Sequence, residues 1–177
     1  ANSLIGAMLT TSGLVCFTVG ILCFIIGNTW ACCTFMMFGG FWSSYALLLM
    51  DVGKLKEAYP TSAEYGQSVA LFFLPWALFT FILWACSWKS TWPLFLMMFF
   101  VWILIMLFVI GQFLSSVKVF KAAGFFCIIT ALLGFLNLYA GLADESNSYF
   151  IVKPWFMPHA ARPDPDVIDE DDEEKED

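Results

Sequence analysis

The chain alternates between long stretches without a charged side chain and short segments in which charges cluster. Residues 1–50 contain no Asp, Glu, Lys, Arg or His, and three further uncharged windows cover residues 65–88, 90–117 and 122–143. Each window exceeds the ~20 residues that an α-helix needs to cross the ~30 Å hydrocarbon core of a bilayer. Because one charged side chain at the membrane centre costs at least ~2.5–3.5 kcal/mol, the pattern predicts an all-α polytopic membrane protein.

The first window is long enough for two helices, and a polar interruption shows where they divide. Gly27-Asn28-Thr29 places a helix terminator and two polar residues inside an otherwise apolar run. Pro75 lies inside another window, where we expect a kink rather than a break because neighbouring helices satisfy the freed carbonyl. We therefore predict five spans, at about residues 4–26, 31–50, 69–88, 93–113 and 122–142.

The end of the chain has a different composition from the rest. Between Arg162 and Asp177 there are ten acidic residues and two basic ones. A segment with so much charge and so few apolar residues does not fold, which predicts a disordered, solvated tail. We accordingly divide the chain into a transmembrane helical domain over residues 1–158 and an acidic tail over residues 159–177.

Glycines recur every seven residues in the first and last predicted spans. The glycines at this spacing are Gly6, Gly13, Gly20 and Gly27 in the first span and Gly134 and Gly141 in the last. In lipid, small residues let helix backbones approach closely and gain dispersion contacts. The stripes predict close helix packing, either inside one subunit or between subunits.

The polar residues exclude several classes of chemistry. No span has a Lys, Arg, Asp or Glu near its middle, and the only histidine, His159, lies in the tail. A proton relay of intramembrane carboxylates and a Ser–His–Asp set are thereby excluded, and we do not expect an enzyme. The six cysteines include no C-x-x-C pair, so we expect no metal site and interpret them as buried thiols that act as small apolar residues. We expect no cofactor and no nucleic-acid partner.

Neutral hydrogen-bonding side chains remain as candidates for the lining of a path. A Ser or Thr in a span usually bonds back to its own helix, whereas we expect Gln112 and Asn137 to do so less readily. Each is therefore a candidate either for path lining or for a clasp between helices. A path lined by amides, hydroxyls and aromatic rings suits small solutes that are neutral or that become neutral by taking a proton.

Two long motifs, about a hundred residues apart, give the chain a family resemblance. One runs from Gly27-Asn28-Thr29-Trp30 to Phe38-Gly39-Gly40-Phe41-Trp42-Ser43-Ser44-Tyr45, and the other from Asn137 to Phe150. Both resemble signatures of the acetate uptake transporter family, the succinate–acetate permeases. The motif residues that carry the resemblance most clearly are Gly27, Gly39, Gly40, Phe41, Trp42, Gly141, Asp144, Ser146 and Asn147.

The resemblance implies uptake of acetate and related small monocarboxylates in symport with a proton. It also implies six helices per subunit, both termini in the cytoplasm, and a homo-oligomer that is hexameric in known relatives, with one path through each subunit. We expect the plasma membrane as its location. The family's first helix, with its N-P-A-P-L-G-L motif, has no counterpart here, and we expect the chain to lack that helix.

The same resemblance assigns residues to the path. In the family, the narrow point is formed by a Phe of the first helix, a Tyr before the Gly-Gly-Phe-Trp segment and a Leu of the fifth helix. The latter two positions hold Phe38, which lacks the hydroxyl, and Val101. The expected polar lining consists of Asn28, Thr29, Gln112 and Asn137.

Two other functions fit the same residues. A neutral path also suits an exporter of ammonia or ammonium. The missing helix, Phe38 and the acidic tail suit a membrane scaffold or signalling protein that kept the family fold but lost transport.

Overall fold

Helices account for nearly all of the regular structure. The computed structural model describes residues 2–153 and 155–160, so the predicted acidic tail lies outside the described residues beyond residue 160. No strand occurs among the described residues; one isolated backbone bridge joins Thr91 and Phe156. In chain order the elements are a 3-10 turn Asn2–Leu4, α1 Ile5–Leu9, a π-helical turn Thr10–Val15, α2 Cys16–Ile25, α3 Thr29–Leu49, α4 Leu55–Ala58, α5 Ser62–Ala85, α6 Trp92–Leu114 and α7 Val117–Leu142.

Five helical segments in the described part of the chain are long and apolar enough to cross a membrane. They are Ile5–Ile25, which joins α1, the π-helical turn and α2, together with α3, α5, α6 and α7. They overlap the five predicted spans, and the all-α polytopic fold class is confirmed. Large apolar side chains remain exposed along these helices, as at Phe135 with 68% of its surface accessible. Such a surface suits the acyl chains of a bilayer and not water, and the protein is an integral membrane protein.

Helix α5 begins at Ser62, seven residues before the predicted span. Thr61 caps the N-terminus of this helix, because the Thr61 hydroxyl accepts a hydrogen bond from the Glu64 amide at 3.2 Å. The Thr-x-x-Glu spacing is the sequence signature of a helix N-terminus. The helix then continues past Pro75 to Ala85 without interruption, as expected for a proline among other helices.

The cysteines are more exposed than the sequence led us to expect. We expected buried thiols, but Cys33, Cys86 and Cys127 are exposed and the other three are half-buried. At such outward-facing positions a small apolar side chain suits lipid as well as a protein interior.

The chain forms two compact units. The first contains Ala1–Phe79 and Ile105–Ala123, and the second contains Thr80–Leu104 and Gly124–Asp177. Phe41, Val69 and Phe73 are buried in the first unit, and Leu83 and Met98 in the second. Each unit therefore has buried apolar side chains of its own, and each carries one of the two sequence motifs.

Candidate functional site

The Gly27-Asn28-Thr29 motif builds the tight connection between α2 and α3. Gly27 has a φ of 77°, a left-handed conformation that glycine adopts without a Cβ penalty. The Gly27 amide donates to the Phe24 carbonyl at 3.0 Å and the Asn28 amide to the Cys23 carbonyl at 2.9 Å. This pair of bonds is a Schellman motif, which satisfies the last carbonyls of α2.

Asn28 also begins the next helix. Its side-chain Oδ1 accepts a hydrogen bond from the Ala31 amide at 3.0 Å, which caps the N-terminus of α3. Thr29 is the first helical residue, and its amide donates to the Gly27 carbonyl at 3.1 Å. The amide oxygen predicted to line a path is thus engaged in holding the turn.

The glycine pair Gly39-Gly40 of the first sequence motif gives α3 a face without side chains, which suits close packing. A Cβ built at Gly39 would lie 3.0 Å from the Gly13 carbonyl oxygen and 3.3 Å from the Phe17 backbone nitrogen. At Gly40 the nearest such atom is the tip of the Phe17 ring, at 3.9 Å. Gly39 therefore permits the helix contact, whereas Gly40 leaves room for a methyl group.

Part of the predicted glycine stripe packs within the chain. A Cβ at Gly13 would lie 2.5 Å from the Ser43 Oγ, and one at Gly20 would lie 3.1 Å from the Met36 backbone nitrogen. Gly13 belongs to the π-helical turn, and π-turns inside helices occur often at functional sites. The intramolecular interpretation therefore holds for these two glycines. Gly6 and Gly27 have no neighbour within 4 Å of a built Cβ.

Phe38, Phe41 and Trp42 belong to an aromatic cluster in the first unit. Phe41 is the centre of the cluster, with 5% of its surface exposed. Its ring lies 5–6 Å, between centroids, from the rings of Trp42, Tyr45, Phe72, Phe73 and Trp76. Phe38 lies at the margin, half-buried, with its ring centroid 6.1 Å from that of Phe79. Phe41 is therefore a packing anchor, and Phe38 is the more accessible ring.

Gln112 faces helix α5 at a glycine. A Cβ built at Gly66 would lie 3.2 Å from the Gln112 carbonyl oxygen and 3.5 Å from its side-chain Oε1. The glycine lets the Gln112 backbone and side-chain amide lie close to the neighbouring helix.

Asn137 and Val101 belong to the second unit. The Asn137 Nδ2 donates to the Leu133 carbonyl at 2.9 Å and contacts the Met97 Sδ at 3.9 Å. The expectation that Asn137 avoids bonding back to its own helix is wrong, because the carbonyl four residues earlier lies within reach of its amide. Val101 is half-buried in α6.

An open cleft of about 490 Å³ lies beside Asn137. Helix α7, the start of α6 and the segment that follows α7 supply its walls. Its lining residues are Thr91, Pro93, Leu136, Asn137, Ala140, Gly141, Val152, Lys153 and Trp155. Lys153 is the lining residue with a formal charge.

The segment after α7 is folded by the acidic end of the second motif. The Asp144 Oδ1 accepts hydrogen bonds from the Ser146 hydroxyl at 2.6 Å, the Ser146 amide at 2.8 Å and the Asn147 amide at 3.0 Å. Asn147 Nδ2 donates in turn to the Leu142 carbonyl at 2.9 Å, which caps the end of α7. The bonds from the Ser146 side chain and backbone, then from the Asn147 backbone, lower the pKa of Asp144.

The structure therefore divides the predicted site residues between the units. Asn28, Thr29, Phe38 and Gln112 lie in the first unit, and Val101 and Asn137 lie in the second. Within the first unit, Phe38 and Gln112 contact different neighbours, Phe79 and Gly66 respectively. Sequence reasoning missed Thr91, Lys153 and Trp155, because only a backbone pairing across about sixty residues brings them to one cleft.

The fold and these motifs define a class, a helical membrane protein with two motif-bearing units. Over residues 1–159 the chain matches the model of the GPR1/FUN34/yaaH family. The protein belongs to this family, and the resemblance found in the motifs is confirmed.

Several relatives and a solved structure are similar to the chain. Ammonia transport outward protein 3 of Saccharomyces cerevisiae is 35% identical over 88% of the chain and 54% of its own length. Acetate permease A of Emericella nidulans is 31% identical over 91% of the chain and 59% of its own length. The chain thus spans somewhat more than half the length of these relatives. The bacterial acetate channel SatP shares the fold, with a TM-score of 0.76 at 19% identity, over 87% of this chain and 83% of that one.

Proposed function

We propose that the protein moves acetate and related small monocarboxylates across a membrane, each together with a proton. The observation that carries the proposal is family membership combined with helices that hold no charged side chain in their middle. A bare carboxylate loses its hydration in the middle of such a path, where the helices supply no fixed positive charge to replace the water. A carboxylic acid that has taken up a proton is neutral, so the same path suits it.

The residues that we propose for the path are those named from the sequence. Phe38 and Val101 are the proposed constriction, and the two are half-buried rather than packed in a core. For Asn28 and Thr29 the proposed contribution to the lining is smaller. The Asn28 side-chain oxygen and the backbone of both residues are engaged in the turn between α2 and α3. The proposed polar lining therefore rests chiefly on Gln112 and on Asn137, which borders an open cleft.

We further propose a homo-oligomer, hexameric as the resemblance implies, in the plasma membrane with the acidic tail in the cytoplasm. The exposed apolar faces of α2 and α7 offer surface both for lipid and for neighbouring subunits. The transmembrane domain is proposed to cover residues 1–158.

Labelled acetate uptake into proteoliposomes tests the proposal. We expect uptake above that of protein-free vesicles, accelerated by an inward proton gradient and reduced by unlabelled acetate or lactate. Protein-free vesicles are the essential control, because protonated acetic acid also crosses lipid unaided. Uptake equal to that control would favour the scaffold or signalling function.

A second candidate function is export of ammonia or ammonium. The observation in its favour is that two similar yeast proteins, at 35% and 33% identity, carry ammonia transport outward names. Labelled methylammonium, measured in the same vesicles, separates the candidates: flux of methylammonium without flux of acetate would replace the first proposal by the second.

A further inference from the structure

We propose that the cleft beside Asn137 is a capture site for small carboxylate anions, and that Lys153 supplies its positive charge. The inference rests on the proposed function and deepens it, since it assigns a place where the anionic form docks before or after crossing. The cleft, of about 490 Å³, is large enough for a molecule of a few heavy atoms with its water.

Lys153 is held at the cleft by anchors on both sides of it in the chain. On one side, the Tyr139 hydroxyl of α7 donates to the Phe150 carbonyl at 2.6 Å. On the other, the Trp92 amide donates to the Trp155 carbonyl at 2.8 Å, and the Met157 amide donates to the Ser90 carbonyl at 2.9 Å. The described residues on either side of Lys153, at 150 and at 155–157, are therefore tied to α7 and to the turn before α6.

A buried side chain completes the second anchor. Met157 has 5% of its surface exposed, so its side chain is buried in the second unit. The backbone bridge between Thr91 and Phe156 lies next to it. Lys153 thus lies between residues that are held by three backbone or hydroxyl hydrogen bonds and one buried side chain.

The lining matches the two ends of a small monocarboxylate. Leu136, Ala140 and Val152 offer apolar surface to an alkyl group, while the Lys153 ammonium and the Thr91 hydroxyl provide donors for a carboxylate. Within residues 2–153 and 155–160 the ion pair that forms is Lys54–Glu57, so no described carboxylate forms a direct ion pair with Lys153. A fixed positive charge attracts acetate and repels ammonium.

The expected contribution of Lys153 is mainly electrostatic attraction. Because the side chain is exposed, its field raises the local anion concentration and is weakened by salt over a Debye length of ~10 Å at 0.1 M. Removing the charge should raise the half-saturating acetate concentration and leave the maximal rate unchanged.

The test compares K153Q with K153R and with K89Q. Lys89 is an exposed lysine of the same unit that does not line the cleft, so K89Q removes an equal charge at a neighbouring place. Equilibrium exchange of labelled acetate is the first readout, since both sides of the vesicle then see one concentration and orientation does not matter. We expect K153Q to raise half-saturation roughly threefold or more at low salt, with K153R and K89Q near the unmodified protein.

Direct binding is the second readout and does not depend on transport. Acetate is titrated into the protein in detergent at constant ionic strength, and the fluorescence change that is lost in W155F reports the cleft. We expect a saturable change that K153Q weakens and K89Q preserves. Binding that depends on Lys153 without any exchange above protein-free vesicles would reject the proposed function but keep the capture site.

Two results overturn the inference. Robust acetate exchange with equal half-saturation in K153Q and the unmodified protein would reject the capture site and keep the proposed function. Equal effects of K153Q and K89Q in both readouts would show that surface charge in general, and not this cleft, attracts the anion.

Discussion

The two units use their sequence motifs in different ways. In the first unit, Gly27, Asn28 and Gly39 are engaged in a helix connection and a close helix contact. In the second unit, Asp144 and Asn147 fold a loop, and Asn137 borders an open cleft. A family motif thus combines residues that hold the fold with residues that border a cleft, and only the structure separates the two kinds.

The largest expected effect concerns the aromatic anchor of the first unit. Phe41→Ala removes a ring that is buried among six other aromatic rings, and the cavity should lower stability by about 3–5 kcal/mol. Thermal unfolding of the protein in detergent checks it. Phe135→Ala, at a ring with 68% of its surface exposed, is the control and should change Tm little. Equal losses in both variants would contradict the packing role of Phe41.

The next effect concerns the contact between the π-helical turn and α3. Gly39→Ala places a methyl group 3.0 Å from the Gly13 carbonyl oxygen, and we expect a loss of about 1–3 kcal/mol by overpacking. Gly40→Ala raises helix propensity by the same amount, but its methyl group has room, so its effect on stability should be neutral or favourable. The difference in Tm between these two variants isolates the close contact. A Gly39→Ala protein as stable as Gly40→Ala would show that the helices readily move apart.

A smaller effect separates structure from solute contact at Asn28. Asn28→Ala removes the oxygen that caps α3 and should lower stability by about 1 kcal/mol, whereas Asn28→Ser retains a capping oxygen and should restore it. Tm and acetate uptake are measured on both variants. If Asn28→Ser regains stability but not uptake, the residue has a path role beyond the turn.

The smallest effect is the pH dependence of the loop after α7. The lowered pKa of Asp144 means that its ionised form is favoured by the folded loop, because Ser146 and Asn147 donate to it. This stabilisation is present above the ordinary carboxyl pKa and is lost as pH falls through the lowered pKa. As the pH is lowered, the protection of the Ser146 and Asn147 amides against hydrogen exchange should therefore fall by more than that of neighbouring amides. Asp144→Asn should remove this pH dependence and Glu145→Gln should retain it; the opposite pattern would contradict the assignment.

Much of the fold followed from the placement of charge along the chain. Uncharged windows located the five long helices found among the described residues, and Gly27-Asn28-Thr29 marked the first connection. The start of α5 was misplaced because hydropathy reports the apolar part of a helix, while Thr61 and Glu64 carry the separate capping signal. The π-helical turn at Thr10–Val15 had no comparable signal in the sequence, and in the structure its Gly13 packs against Ser43 of α3.

The candidate site was less accessible from sequence than the fold. Residue type named Asn137, but the reach of its amide to the Leu133 carbonyl is a matter of geometry. Lys153 stood out in no motif, since its position depends on the pairing of Trp155 with Trp92 far away in the chain. Local patterns predict helices well because the interactions are local, whereas a cleft formed by distant segments needs the tertiary structure.

The central claim is that the solute crosses as a carboxylate together with a proton, which makes the flux electrically neutral. Acetate flux into proteoliposomes, with the membrane potential and the pH gradient set independently, tests the claim directly. The account predicts a flux that follows the pH gradient and does not change with potential. A flux that follows the potential at equal pH on both sides would show that the bare anion crosses and would contradict the account.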